Sequence, residues 1–452
     1  MNIPLFLSED AAAVIARLEE NGFEACAVGG CVRDALRGET PHDWDIGTAA
    51  LPEDTLRYFT DCPVIETGLK HGTVTVLWRG KPFEITTYRV EKGYADGRHP
   101  DEVAFVRRLE DDLARRDFTI NAMAYHPVRG LTDLFGGQAD LAAGIVRCVG
   151  EADRRFREDA LRILRGLRFA ACLGFAVEEA AARAMRGEQG RLRGVSAERV
   201  NAELCRLLTG RNAAGTLRAF ADVIGTVLPE TAPMRGFLQN NPHHCRDVWE
   251  HTLTALETSP PDRLVRLALL FHDSGKPFTY TEDESGVGHF HGHPAVSGRL
   301  ADRAMRRLRF DTETRERVCR LVRVHDIPAE NEPRFVRRWL NRLGEEDFRR
   351  LLAVKRADTL GQAPRYQPPR LTVLDGLEQT LEDILRGEDC FRLRDLAVGG
   401  RDLLAEGMSE GPAVGEALRF LLDGVLDGRF PNERGPLLEA LRNRGGKTDA
   451  QR

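Results

Sequence analysis

Ala27-Val28-Gly29-Gly30-Cys31-Val32-Arg33-Asp34, followed by His42-Asp43-Trp44-Asp45-Ile46, decides how the N-terminal part of the chain reads. A glycine pair opens a helix, and two aspartates then alternate along a strand. Residues two apart on a strand share a face, so Asp43 and Asp45 present their carboxylates side by side. Two such charges are costly unless a cation sits between them. Hard oxygen ligands suit Mg²⁺, which also takes ligands from substrate phosphates. Gly29 and Gly30 let backbone N–H groups approach a phosphate at the helix start. Either half alone is a common pattern: many metal sites carry D-x-D, and Gly-Gly is often only a tight turn. Together they point to metal-assisted chemistry on a nucleoside triphosphate.

Working outward, Gly72-Thr73-Val74-Thr75-Val76-Leu77-Trp78 and Phe83-Glu84-Ile85-Thr86-Thr87-Tyr88-Arg89 flank the turn Arg79-Gly80-Lys81-Pro82. β-branched and aromatic runs around a Gly/Pro turn predict a hairpin. Phe83, Ile85 and Thr87 then face one side, and Glu84 and Thr86 the other. Sheet pairing brings Glu84 beside Asp43 and Asp45 as a third carboxylate. Three carboxylates on one sheet face can hold two metal ions, one activating a hydroxyl and one clamping a leaving pyrophosphate.

Arg115-Arg116-Asp117-Phe118-Thr119-Ile120-Asn121-Ala122 completes a set. GGxVRD, DWD, FEITTYR and RRDFTINA together resemble the class II tRNA nucleotidyltransferase and poly(A) polymerase family. The resemblance implies a small mixed-sheet head in which Gly29, Gly30 and Arg33 hold the triphosphate. It also implies that Arg116, Asp117 and Asn121 shape the nucleotide site; by itself, Asp117 reads equally as a cap of the following helix.

Glu158-Asp159-Ala160-Leu161-Arg162-Ile163-Leu164-Arg165-Gly166-Leu167-Arg168-Phe169 reads as an amphipathic helix with Leu161, Leu164 and Leu167 on its apolar stripe. Asp159 and Arg162, three apart, share a face. Asp accepts and Arg donates. Cytosine and adenine both show an amino donor beside a ring-nitrogen acceptor, the reverse of uracil and guanine, so one Asp–Arg pair can select C and A without a nucleic-acid template. Alone, such a pair is an ordinary surface ion pair. In the family that the chain resembles, the equivalent pair is that template, with Arg165 and Arg168 counted among the nucleotide-binding residues. Ser196-Ala197-Glu198-Arg199 is similar to the family's last motif; Ser196 reads as an N-cap, and Arg199 as a brace rather than a contact. Tyr94-Ala95-Asp96-Gly97-Arg98-His99-Pro100 looks like the flexible loop of members that add a full CCA.

Past about residue 145 the strand signal fades and helices dominate. Eight of the 12 histidines fall between His243 and His325, which marks a second constellation. Trp249-Glu250-His251, Phe271-His272-Asp273-Ser274-Gly275-Lys276, His291-Gly292-His293, Val324-His325 and Ala357-Asp358 follow in order. This order resembles the HD phosphohydrolase superfamily. The resemblance implies metal ligands at His251, His272, Asp273 and Asp358, with His293 and His325 for a second ion. Imidazole with carboxylate suits a transition metal such as Ni²⁺, Mn²⁺, Fe²⁺ or Co²⁺ and a metal-bound water for phosphoester hydrolysis. Lys276 is placed to steady a phosphate.

Composition sets the frame. A chain of 452 residues leads us to expect several domains. No apolar run reaches transmembrane length, and the start lacks a basic signal region. Nine cysteines without a C-x-x-C pair point to a reducing, cytoplasmic setting. A net charge of −5 does not advertise nucleic-acid binding, but local arginine runs do. Arg154, Arg155, Arg157, Arg162, Arg165 and Arg168 form one, and Arg303, Arg306, Arg307, Arg309, Arg315, Arg317, Arg320 and Arg323 another. Such runs are solvated helix faces or phosphate tracks for tRNA.

The expected architecture is α+β: a mixed-sheet nucleotidyltransferase head (1–145), a helical neck with the base-reading helix (146–215), a helical body (216–365) with the HD module at about 243–360, and a helical tail (366–452) that binds tRNA. The expected activity is CCA addition to tRNA from CTP and ATP with Mg²⁺, alongside HD-type hydrolysis. The competing readings are a bacterial poly(A) polymerase, a partial CC- or A-adding enzyme, and an HD phosphohydrolase with an RNA-binding head.

Overall fold

A computed structural model describes residues 7–66, 68–92, 102–387 and 389–445. The Tyr94–Pro100 stretch therefore lies outside the described residues. The chain divides into two compact units, Met1–Ala232 with Arg307–Phe310, and Pro233–Arg306 with Asp311–Arg452.

In the first unit, Ser8 accepts a hydrogen bond from the Ala11 N–H and so caps the helix Glu9–Glu20, which buries Val14, Ile15 and Leu18. Eleven strands follow among the described residues: β1 (Ala25–Val28), β2 (Trp44–Thr48), β3 (Val64–Ile65), β4 (Thr73–Trp78), β5 (Lys81–Thr87), β6 (Arg89–Lys92), β7 (Glu102–Phe105), β8 (Met123–His126), β9 (Gly130–Asp133) and the short parallel pair β10 (Ile145–Val146) and β11 (Ala176–Val177). Seven form one sheet in the order β3-β4-β5-β2-β1-β8-β9, and β6 pairs with β7 alone. β2 and β5 run parallel, whereas their other neighbours are antiparallel, so the sheet is mixed. Val74, Val76, Phe83 and Ile85 alternate inward, as their spacing predicts, and join Val14, Leu18 and Ile46 in the core. On the other face, Cys26, Val28, Tyr88, Leu109 and Leu113 form a second layer. The hairpin turn is tighter than the sequence suggests. Arg79 (φ 51°) and Gly80 (φ 80°) alone make it, a two-residue turn of positive φ, and Lys81 and Pro82 already belong to β5.

Beyond Ala152 the described residues of the unit are helical apart from the short strand Ala176–Val177. The helix expected to run through Asp159 is in fact two, Ala152–Glu158 and Leu161–Leu173. Asp159 between them is extended (φ −145°, ψ 107°), and its carboxylate accepts from the Leu161 N–H at 3.0 Å. A short acidic side chain that bonds its own backbone competes with helix continuation, which explains the break. Leu161, Leu164 and Leu167 are buried as the stripe requires.

The second unit contains the helices Val248–Thr258, Arg263–Phe271, Thr312–Val324, Pro333–Leu343, Glu345–Gly361 and Gln367–Arg386, then Gly400–Ala405, Pro412–Leu426 and Arg434–Gly445. Leu267, Leu270, Leu321 and Val354 are wholly buried and anchor its core. The described residues contain no helix long and apolar enough to cross a membrane.

Candidate active site and a second ligand cluster

The first unit holds a cavity of about 550 Å³ lined by Gly29, Gly30, Arg33, Asp45, Glu84, Arg116, Asp117, Asn121, Asp159, Arg162, Arg165 and Arg168, all expected site residues. Eight arginines face four carboxylates across it, a balance suited to a polyanion.

Asp45 on β2 stands directly opposite Glu84 on β5 in the parallel register. This is the juxtaposition that strand alternation predicts. Burial and the Glu84 charge push the Asp45 carboxyl up to about 6, against the pull of Arg116 and with a further push from Asp43. Asp43 itself does not sit as expected. β2 begins at Trp44, so Asp43 occupies the bend before the strand, is exposed and does not line the cavity. Asp45 thus stands in the strand and Asp43 at its entry, near enough for its charge to act on Asp45.

Of the glycine pair, Gly30 opens the helix Gly30–Leu36 and lines the cavity, whereas Gly29 does not offer its N–H to it. The Gly29 N–H is already donated to the Met123 carbonyl at 3.0 Å. With φ 82°, Gly29 instead lets Arg116 close in: a Cβ there would lie 2.8 Å from Arg116 Nη1. Arg116 is held by Asp112 at 3.1 Å and by the Asn121 carbonyl at 3.3 Å. Asn121 Oδ1 accepts from Arg33 Nη1 at 2.7 Å, so one asparagine positions both guanidinium groups. Burial raises the cost of the Asp112 charge, but Arg116 and Arg115 outweigh it and hold the carboxyl low.

Asp117 caps no helix. Its Oδ2 accepts from Arg165 Nε at 2.6 Å, and the next turn, Thr119–Asn121, is a 3₁₀ turn. Arg168 is held by Glu203 at 2.6 Å, and its guanidinium lies 3.9 Å over the Phe169 ring. Asp159 and Arg162 are joined through the backbone, the Arg162 N–H donating to the Asp159 carbonyl at 3.0 Å, while their side chains are held by other residues. Asp159 Oδ2 accepts from Arg199 Nη2 at 2.6 Å, and Arg162 Nη1 donates to Glu158 Oε2 at 2.5 Å. Arg199, read as a brace, both braces Asp159 and lines the cavity. Ser196 holds the N-cap position without a side-chain capping bond. Glu158, Phe169, Arg89 and Arg115 were not singled out by the sequence reading. Only Glu158 carried a signal, the i,i+4 spacing to Arg162.

The arginine runs are largely ion-paired within their own units. Arg154 and Arg155 meet Glu158, Arg157 meets Glu188, and Arg317 meets Asp347.

In the second unit, two ligand-type groups meet. His251, His272, Asp273 and Asp358 bring one ligand atom each within 4.8 Å of one another, and so do Asp273, His293 and His325. Asp273 Oδ2 faces His251 and His272 at 3.4 and 3.3 Å, while Oδ1 faces His293 and His325 at 3.3 and 3.7 Å. One carboxylate is thus shared by both groups. His272, His293 and His325 sit at helix ends, and their Nδ1 atoms donate to the carbonyls of Leu269, Phe290 and Val322 at 2.6, 2.9 and 2.7 Å. A carbonyl only accepts, so Nδ1 carries the proton and Nε2 points its lone pair inward. The Nε2 atoms of His293 and His325 face each other at 3.3 Å. Converging lone pairs beside carboxylates fit a bound cation. With no cation bound, Asp273 and Asp358 outweigh the burial that opposes charge on His272 and push the ring up to about 10, so its Nε2 then takes up a proton that a bound metal would displace. Lys276 is not free to hold a phosphate: it is buried, 2.8 Å from Asp273 and 2.7 Å from Gln239 Oε1.

Residues 25–147 match the poly A polymerase head domain, 174–232 a probable RNA and SrmB-binding site of polymerase A, and 243–362 the HD domain. The CCA-adding enzyme of Lactobacillus delbrueckii subsp. bulgaricus is 34% identical over 437 residues, 95% of this chain and 96% of that one. That of Leuconostoc mesenteroides is 47% identical over 221 residues, 49% of this chain and 55% of its own. The crystal structure of the Bacillus stearothermophilus CCA-adding enzyme in complex with CTP superimposes over 100% of both chains, with a TM-score of 0.72 and 30% identity.

Proposed function

The chain belongs to the family of CCA-adding enzymes, and from that premise we propose how its own residues build the tRNA 3′ end. The tRNA 3′-hydroxyl attacks the α-phosphorus of CTP or ATP in line, and pyrophosphate leaves. Arg33 and Arg116, locked together by Asn121, clamp the triphosphate and fix the angle of attack. Asp43 and Asp45 would hold Mg²⁺, and Glu84, paired across the strands with Asp45, helps take the proton from the hydroxyl. Bound there, Mg²⁺ supplies Lewis-acid stabilisation of the transferring phosphoryl group. Asp159 accepts from the base amino group and Arg162 donates to the ring nitrogen, which admits C and A. Gly29, Gly30, Asp117, Arg165 and Arg168 complete the walls of the nucleotide site.

The carrying observation is that Asp159 and Arg162 line the same cavity as Asp45 and Glu84, so base choice and chemistry share one site. We divide the labour into head (1–145), neck (146–215), body (216–365) and a tRNA-gripping tail (366–452), and place the reaction in the cytoplasm, where all nine free thiols stay reduced. The test is purified protein, a tRNA lacking its CCA, and CTP and ATP given separately and together. CTP alone should add two residues, and both nucleotides three. Long adenosine tails would point to a poly(A) polymerase instead.

The shared Asp273 supports a second activity. His251, His272, Asp273 and Asp358 would hold one divalent transition metal such as Ni²⁺, Mn²⁺, Fe²⁺ or Co²⁺, with His293 and His325 for a second, and phosphoesters would be hydrolysed there. Such turnover should vanish in His272→Ala.

A further inference from the structure

Another cavity of the second unit, of about 480 Å³, is lined by residues of the helices His293–Arg307 and Thr312–Val324. Four guanidinium groups face it: Arg306 from the first helix, and Arg315, Arg320 and Arg323 from the second. Only two carboxylates in its wall, Asp302 and Glu316, oppose them. Asp302 is already shared, with Arg306 Nε at 2.8 Å and Arg315 Nε at 3.2 Å. The Arg306 hydrogen bond, and after it the charges of Arg306, Arg315 and Arg323, hold the Asp302 carboxyl below the usual range. Arg315 Nε is buried, and Asp302 stands out of line for a hydrogen bond with it, so this donor is left unspent. Arg320 and Arg323 are exposed and form no ion pair among the described residues. Glu316 stands four residues before Arg320, the spacing at which a helix readily forms such a pair, yet none forms. Arg323 is fitted to the facing helix: a Cβ on Gly298 would lie 2.7 Å from Arg323 Cγ and 3.0 Å from its Nε. The glycine thus makes room for the arginine stem.

The groove therefore holds more positive charge than its own acids neutralise, on guanidinium forks that match phosphoryl oxygens. The uncharged part of its wall is Cys319 and Val324, with no aromatic ring among the described lining residues to stack a base. That wall suits an anion without a nucleoside. Guanidinium groups on both helices suit one with oxygens at both ends. We infer that this groove is an anion site for a diphosphate group, with inorganic pyrophosphate as its ligand, and that Arg320 and Arg323 are its principal binding residues. The transferase reaction supplies a source of that anion, whereas the site itself rests on the groove alone. A ligand held there ties the two helices together from outside.

The test is hydrogen exchange of the full-length protein in EDTA, with pyrophosphate and inorganic phosphate as probes, read on peptides from 293–307 and 312–324. Peptides lining the head cavity report binding there separately and show that the anion is present. Pyrophosphate should slow exchange in both helices at a concentration about tenfold below that needed for phosphate. Arg320→Ala and Arg323→Ala, at exposed positions, should each raise the concentration for half-protection about tenfold and leave the head peptides unchanged. Glu316→Gln removes a charge that repels the anion and should lower that concentration about twofold to fivefold. Half-protection at the wild-type concentration in both arginine variants would overturn the inference. So would unprotected helices when pyrophosphate protects the head peptides. Protection of the two helices by a tRNA lacking its CCA, but not by pyrophosphate, would overturn it in favour of an RNA backbone.

Discussion

Replacing Asp45 by Asn should make the metal-free protein more stable while removing its transferase activity. The Asp45 carboxyl is raised from 3.8 to about 6 by burial and by the facing Glu84, so its ionised form is disfavoured in the folded state. That rise corresponds to ~3 kcal/mol. Asp45 keeps partial contact with solvent, which screens part of the repulsion, so about 1–2 kcal/mol is the working figure. Because the folded value lies above the unfolded one, the cost is absent below about pH 4, grows between 4 and 6, and is complete above 6. Asn, neutral and of the same shape, relieves it only where Asp45 would be charged. Scanning calorimetry in EDTA should therefore show the first unfolding transition of Asp45→Asn raised by about 2–8 °C at pH 8, with roughly half that gain at pH 5. Adding Mg²⁺ should stabilise the wild type and leave the variant unchanged. An Asn variant no more stable than wild type at pH 8, or equally favoured at both pH values, would refute the reasoning.

Two further changes probe other parts of the account. Gly29→Ala places a side chain at φ 82° and 2.8 Å from Arg116 Nη1, so it should cost about 1–3 kcal/mol of stability and raise the KM for CTP and ATP together; thermal midpoints and nucleotide titrations read both effects. Asp273→Asn removes the carboxylate common to both ligand groups, so elemental analysis should show transition metal lost from both positions, whereas His325→Ala should lose only one.

Much of this was legible from local pattern. Glu84 faces the site because strand alternation has a period of two, and Leu161, Leu164 and Leu167 are buried because a helix has a period of 3.6. The ligand order from His251 to Asp358 is readable because each residue lies on a helix, as His251 and Asp358 do, or at the end of one, as His272, Asp273 and His325 do. What was hidden depended on competition between neighbours or on distant partners. Asp159 breaks the helix because its carboxylate takes the Leu161 N–H, which no periodicity reveals. Arg199 meets Asp159 across 40 residues of sequence, and Lys276 is drawn into an ion pair with Asp273 rather than left for a phosphate. Asp43 slipped out of the strand at its first residue, the least predictable position of any element.

The central claim is that protein side chains at Asp159 and Arg162, rather than a nucleic-acid template, choose the added base. The direct measurement is single-turnover extension of a tRNA lacking its CCA, with each of the four nucleoside triphosphates supplied in turn to wild type and to Asp159→Ala. The account predicts that wild type incorporates only C and then A, and that Asp159→Ala still transfers nucleotides but admits U and G. Undiminished selection of C and A by Asp159→Ala would contradict it.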